Sequence, residues 1–142
     1  MTTIPISRER YLTQWAAQFA VASELCKRGY EVSFTMGDTT PFADLMVVSP
    51  KRRQMFLIDV KGLYRMNSWQ VKRKAPRDNL FYVLAYVPAD ETNRFFVMTQ
   101  SEADQSVRDE LTRLERPDNY SFQGFNWKIA LAHENAWQGL PE

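Results

Sequence analysis

Two aspartates and a lysine stand inside runs that otherwise read as buried β-strand: Asp44 is the second residue of ADLMVV, and Asp59 and Lys61 interrupt FLIDVKG. Side chains alternate faces along a strand, so Asp59 and Lys61 share a face with Met55 and Leu57, while Phe56, Ile58 and Val60 take the other. On the preceding run, Asp44, Met46 and Val48 share one face. If the two runs pair as an antiparallel hairpin across residues 49–54, Val48 falls opposite Met55, Met46 opposite Leu57 and Asp44 opposite Asp59. Paired β-carbons then lie ~5 Å apart. Two carboxylates at that separation repel by roughly 3 kcal/mol at an effective dielectric of 20, about two pKa units. A divalent cation offsets this directly, since Mg²⁺ typically takes one or two carboxylates and keeps several waters. Lys61 adds one positive charge, a poor clamp for two acids. A slip of one residue would turn Asp44 away and remove the site. The competing reading is structural: Asp44 caps a turn, and Asp59 with Lys61 is a local ion pair on a solvated strand face.

The elements that must position these groups follow from periodicity. Residues 8–28 predict an amphipathic helix with Trp15, Phe19, Ala22 and Cys26 on its core face, Ser7 as N-cap and Gly29 just past its end. Gln18 interrupts that stripe, an odd place for an amide. Strands are predicted at YEVSFTM, ADLMVVS, QMFLIDVKG, NLFYVLAYV and RFFVMT, with a short one at SWQVKRK. NLFYVLAYV is apolar enough for a central strand, although its FYVLAYV core could instead form a dimer edge. A second helix follows from Ser101 with Asp104 as a weak capping pair, and FNWKIALAHENAWQGL reads as a short strand running into a helical tail. The fold class is therefore α/β, a mixed central β-sheet flanked by helices, in one domain over residues 1–142.

The lone Cys26 cannot form an internal disulfide, and on an apolar helix face it reads as core packing. No run has signal-peptide character or bilayer-spanning length, so the expected setting is the cytoplasm, with no membrane. The net charge of +1 hides an asymmetry. Between Lys51 and Arg77 there are nine basic residues against the single acid Asp59, leaving nine bases and sixteen acids elsewhere. Clustered Lys and Arg either form a solvated face or attract a polyanion.

The run QFAVASELCKRGYEVSF, followed by FADLMVV and FLIDVKG, resembles the PD-(D/E)XK nuclease superfamily. The likeness is to small stand-alone members, restriction-endonuclease-like or related to Holliday-junction resolvases. It covers roughly residues 14–62, with Ala43 where the family name has Pro. The resemblance implies a restriction-endonuclease-like core and a Mg²⁺ (or Mn²⁺) cofactor. Its ligands would be Asp44, Asp59 and the main-chain carbonyl of Val60, and Lys61 would orient or help deprotonate the attacking water. The family's helix glutamate maps onto Gln18, whose neutral carbonyl binds Mg²⁺ less strongly than a carboxylate. DNA, double-stranded or branched, is the implied partner. Lys72, Arg73, Lys74 and Arg77 would track its phosphates, with Arg65 at the margin. Trp69 would stack on a base or wedge into the duplex, unless it alternates with Val71 into the core. Homodimerisation is compatible with the resemblance, because two sites cut two strands.

Two functions follow. One is a metal-dependent endonuclease hydrolysing phosphodiester bonds of DNA, restriction- or resolvase-like. The other, favoured by Gln18, is a catalytically impaired protein of the same fold that binds nucleic acid or a protein partner, as a subunit or immunity-type factor.

Overall fold

The computed structural model describes residues 8–35 and 42–142. Helix α1 spans Arg10–Lys27, with Glu9 at its N-cap and no side-chain capping bond. The predicted cap, Ser7, lies outside the described residues. The C-terminus ends as the sequence suggests: Gly29 adopts φ +91°. Its N–H donates to the Cys26 carbonyl at 3.0 Å, while Tyr30 N–H donates to Leu25 at 3.1 Å, the paired bonds of a left-handed helix stop.

The buried face of α1 is rotated from the predicted one. Thr13, Ala17, Val21 and Leu25, with Ala22, face the sheet. Trp15 and Phe19 are instead 48% and 59% exposed, and stack on each other with ring centroids 5.5 Å apart. Cys26 is exposed, not core. The reason is steric. Small residues spaced four apart let the helix lie close to the strands, and bulky aromatics cannot occupy that row.

β1 (Glu31–Phe34), β2 (Leu45–Val48), β3 (Met55–Leu63), β5 (Leu80–Tyr86) and β6 (Arg94–Thr99) form one sheet in the order β1-β2-β3-β5-β6. β3 and β5 run parallel and the other neighbours antiparallel, so the sheet is mixed. NLFYVLAYV supplies β5, an internal strand. The β2–β3 register is the predicted one, Val48 opposite Met55 and Met46 opposite Leu57. Its turn is closed by Ser49 N–H to the Gln54 carbonyl and by Gln54 N–H to Ser49 Oγ, both at 2.9 Å, with Arg53 at φ +54°.

Each face of the sheet carries a core. α1 covers Leu45, Val47, Phe56, Ile58 and Val60, joined by Trp137 and Leu140 from the C-terminal segment. The opposite face packs Leu80, Tyr82, Leu84, Phe96 and Met98 under α2 (Gln100–Arg113). The short strand β4 (Trp69–Gln70) pairs with β7 (Gly124–Phe125) as a separate two-stranded sheet, and Trp69 belongs to this second core. α2 is capped by Thr99, not Ser101. The Thr99 hydroxyl accepts from Glu102 N–H at 3.1 Å, and the Glu102 carboxylate accepts from Thr99 N–H at 2.9 Å. The expected helical tail is a one-turn helix α3 (Trp127–Ala130) followed by 3-10 turns. Among the described residues, no helix is long and apolar enough to cross a membrane.

Candidate metal and phosphate site

β3 outruns its neighbour. β2 pairs with β3 only as far as Leu45 opposite Ile58, whereas β3 continues to Leu63. Beyond Ile58, the edge of β3 facing β2 has no strand partner among the described residues, and buried backbone groups must find other partners. Asp44 supplies the first: its N–H donates to the Ile58 carbonyl at 2.9 Å, and its Oδ2 accepts from Val60 N–H at 2.7 Å. Gln14 of α1 supplies the second, donating from Nε2 to the Val60 carbonyl at 2.8 Å. The acid that ends β2 is thus fixed where β3 overhangs.

The amide that reaches this edge is Gln14, not Gln18. With the helix turned to bury Ala17 and Val21, Gln14 meets the Val60 carbonyl, and Gln18 lies four residues further along, half-buried. Gly62 makes the approach possible. A β-carbon there would lie 2.8 Å from Ala17 Cβ and 3.1 Å from the Thr13 carbonyl. Gly62→Val is therefore expected to push α1 off β3 and to destabilise the fold by about 1–3 kcal/mol, read as a lower denaturation midpoint.

Asp59 points to the face of β3 that α2 covers and is 3% exposed. Lys61 places its ammonium 3.2 Å from Asp59 Oδ1. Lys74 pairs with Oδ2 and also donates to the Phe42 carbonyl at 3.1 Å. Burial pushes the Asp44 carboxyl above the usual carboxylate range. The bond from Val60 N–H opposes this, the charge of Asp59 adds to it, and Lys61 and Lys74 oppose it. Burial likewise raises the Tyr82 phenol, assisted by Asp59, so Tyr82 remains protonated beneath the site.

Lys74 arrives on residues 71–79, which carry no strand or helix and are held by amides. Gln100, the first residue of α2, donates to the Ala75 carbonyl at 3.0 Å and accepts from Arg77 N–H at 2.7 Å. Gln123 Oε1 accepts from Arg73 N–H at 2.9 Å. The other basic residues of the segment divide. Lys72 is exposed. Arg73 is committed to Asp104 at 2.8 Å, with Asp118 at 3.8 Å. Arg77 lies 4.6 Å from the Phe42 ring centroid and Arg65 lies 5.1 Å from that of Tyr64. Trp69 is 1% exposed and stacked on Trp127, which leaves its ring no face for a base.

Lys61 opens onto two clefts. One of about 360 Å³ is lined by Arg8, Arg10, Gln14 and Asn67, and the other, of about 450 Å³, by Gln70, Lys72 and Glu110. Arg8 and Arg10 lie far in sequence from the basic segment. Only the packing of α1 against β3 brings them beside Lys61.

No protein-family model matches the chain, and no curated protein matches it. The fold is similar to that of a bacterial homing endonuclease. The solved structure of that enzyme superposes with a TM-score of 0.55 at 17% identity, covering 93% of this chain and 91% of that one. At that identity the likeness is one of fold.

The donors fit a hard divalent cation. Two carboxylates and a main-chain carbonyl are an all-oxygen set, and the Val60 carbonyl has a second lone pair beyond the one accepting Gln14. Among the described residues, no group of three or more His, Cys, Asp or Glu forms a fuller cage.

Proposed function

We propose that this protein is a metal-dependent nuclease hydrolysing phosphodiester bonds of DNA, with a PD-(D/E)XK-type site. The observation that carries the reading is the overhang of β3, which gathers Asp44, the Val60 carbonyl, Asp59 and Lys61 at the end of one hairpin. The likeness in fold to a homing endonuclease supports it.

Asp44, Asp59 and the Val60 carbonyl would hold Mg²⁺ or Mn²⁺, which supplies Lewis-acid polarisation of a phosphoryl oxygen and an activated water. Lys61, half-buried beside Asp59 and open to both clefts, orients that water and meets the developing negative charge on the phosphate. Gln14 fixes the Val60 carbonyl. Arg8, Arg10 and Lys72 line the clefts that meet at Lys61 and would receive flanking phosphates, making affinity fall steeply with salt.

Purified protein is expected to nick or cut supercoiled, linear or branched DNA with Mg²⁺ or Mn²⁺, and to stop on chelation. Nicking against double-strand cutting tells whether two copies act together. Inactivity on all DNA forms with both metals overturns the proposal. One observation favours the second reading, a non-catalytic binder of nucleic acid or of a protein: the α1 side chain at the site is the neutral Gln14. Salt-dependent DNA binding that is indifferent to chelator and to Asp44→Asn would select it.

A further inference from the structure

Both oxygens of Asp59 are engaged by ammonium groups, Oδ1 by Lys61 and Oδ2 by Lys74. The two lysines differ in how they are held. Lys61 belongs to β3 itself, two residues beyond Asp59, and its place is set by the strand. Lys74 reaches in from segment 71–79, which carries no strand or helix, and its ammonium lies 5.9 Å from the Tyr82 ring centroid. Its ammonium also bonds the Phe42 carbonyl, two residues before Asp44, so it bridges the stretch leading into β2 and the acid of β3. That is the position from which a cation would neutralise the pair of acids.

Formal charge makes the same point. Asp44 and Asp59 carry two negative charges, and Lys61 with Lys74 carry two positive ones. A divalent cation added to that set would meet a neutral site and an ammonium on one of its ligand oxygens. With Lys74 withdrawn, the same cation meets a net negative site and a free Asp59 oxygen. The segment's backbone is anchored through Gln100 and Gln123, so withdrawal requires only rotation about the four side-chain torsions of Lys74.

Building on the proposed nuclease reading, we infer that Lys74 is an internal counter-ion occupying the divalent-cation position on Asp59, and that cation binding proceeds by displacing it. Lys74 thereby holds the site together when no metal is bound and sets the threshold of metal concentration at which the site fills.

The test is Mn²⁺ binding by calorimetry, without DNA, in the full chain and its Lys74→Met, Lys74→Gln and Asp59→Asn variants. Removing the competing ammonium is expected to tighten Mn²⁺ binding about tenfold or more. Lys74→Gln, which keeps a donor for the Phe42 carbonyl, should do so with less loss of folding. Both variants should melt below wild type without metal and recover with saturating Mn²⁺. Asp59→Asn should not bind. Unchanged or weaker binding in both Lys74 variants, with binding still lost in Asp59→Asn, overturns the inference and leaves the nuclease reading standing. Absence of Mn²⁺ binding in every variant and in the wild type overturns both.

Discussion

Asp59→Ala is expected to abolish metal-dependent cleavage and to weaken the fold at the same time. Asp59 is 3% exposed and pairs with two lysines, whose side chains are 32% and 19% exposed. Truncation leaves both ammonium groups without their partner in a partly dry setting. Breaking a fully buried pair costs about 3–5 kcal/mol, and the partial exposure of the lysines brings this to about 1–3 kcal/mol. The denaturation midpoint should fall accordingly. Cleavage should drop by about 10²–10³-fold or more, because a metal ligand and the partner of Lys61 are lost together. A variant that keeps wild-type cleavage would remove the basis for the proposed chemistry.

Asp44→Asn should cut activity as severely yet move stability in the other direction. Burial raises the Asp44 pKa, so the folded chain keeps this proton over a pH interval in which the unfolded chain has already released it. Through that interval stability falls as pH rises, and above the raised pKa the ionised group burdens the metal-free fold. An asparagine carries no charge to desolvate and retains an oxygen for Val60 N–H. The metal-free variant should melt above wild type at neutral pH, and the difference should vanish well below the ordinary carboxylate range. Wild-type cleavage should show the opposite slope, rising with pH through the same interval, because a ligand carboxylate must be deprotonated to bind the metal. Thermal melts from acid to neutral pH, paired with cleavage rates, separate the two trends. A melting temperature that falls in Asp44→Asn at neutral pH would show that the ionised acid stabilises the fold, and unchanged cleavage would remove it as a ligand.

The hairpin was legible because period-two alternation is a local property. With two apolar runs and a short turn between them, only one pairing puts Asp44 across from Asp59, and the observed register is that one. The phase of α1 was not legible, because hydrophobicity favours the stripe with Trp15 and Phe19, whereas close packing favours Ala17 against Gly62. The observed phase sets Gln14, one turn before Gln18, against the Val60 carbonyl. Lys74 looked like one member of a basic run. Its place beside Asp59 depends on Gln100 and Gln123, which hold residues 71–79 across a long sequence gap. Arg8 and Arg10 escaped for the same reason, being neighbours of Lys61 only through helix packing. Trp69 showed its fate more openly, since its spacing from Val71 already allowed the core position it takes.

The turn closed between Ser49 and Gln54 works as the timing element of the molecule. Lengthening or shortening it by one residue would shift the two strands by half a pleat period, moving one acid into the greasy layer beneath α1. Homologous chains that retained the chemistry would therefore tolerate sequence drift in this bend far more readily than any change in its length.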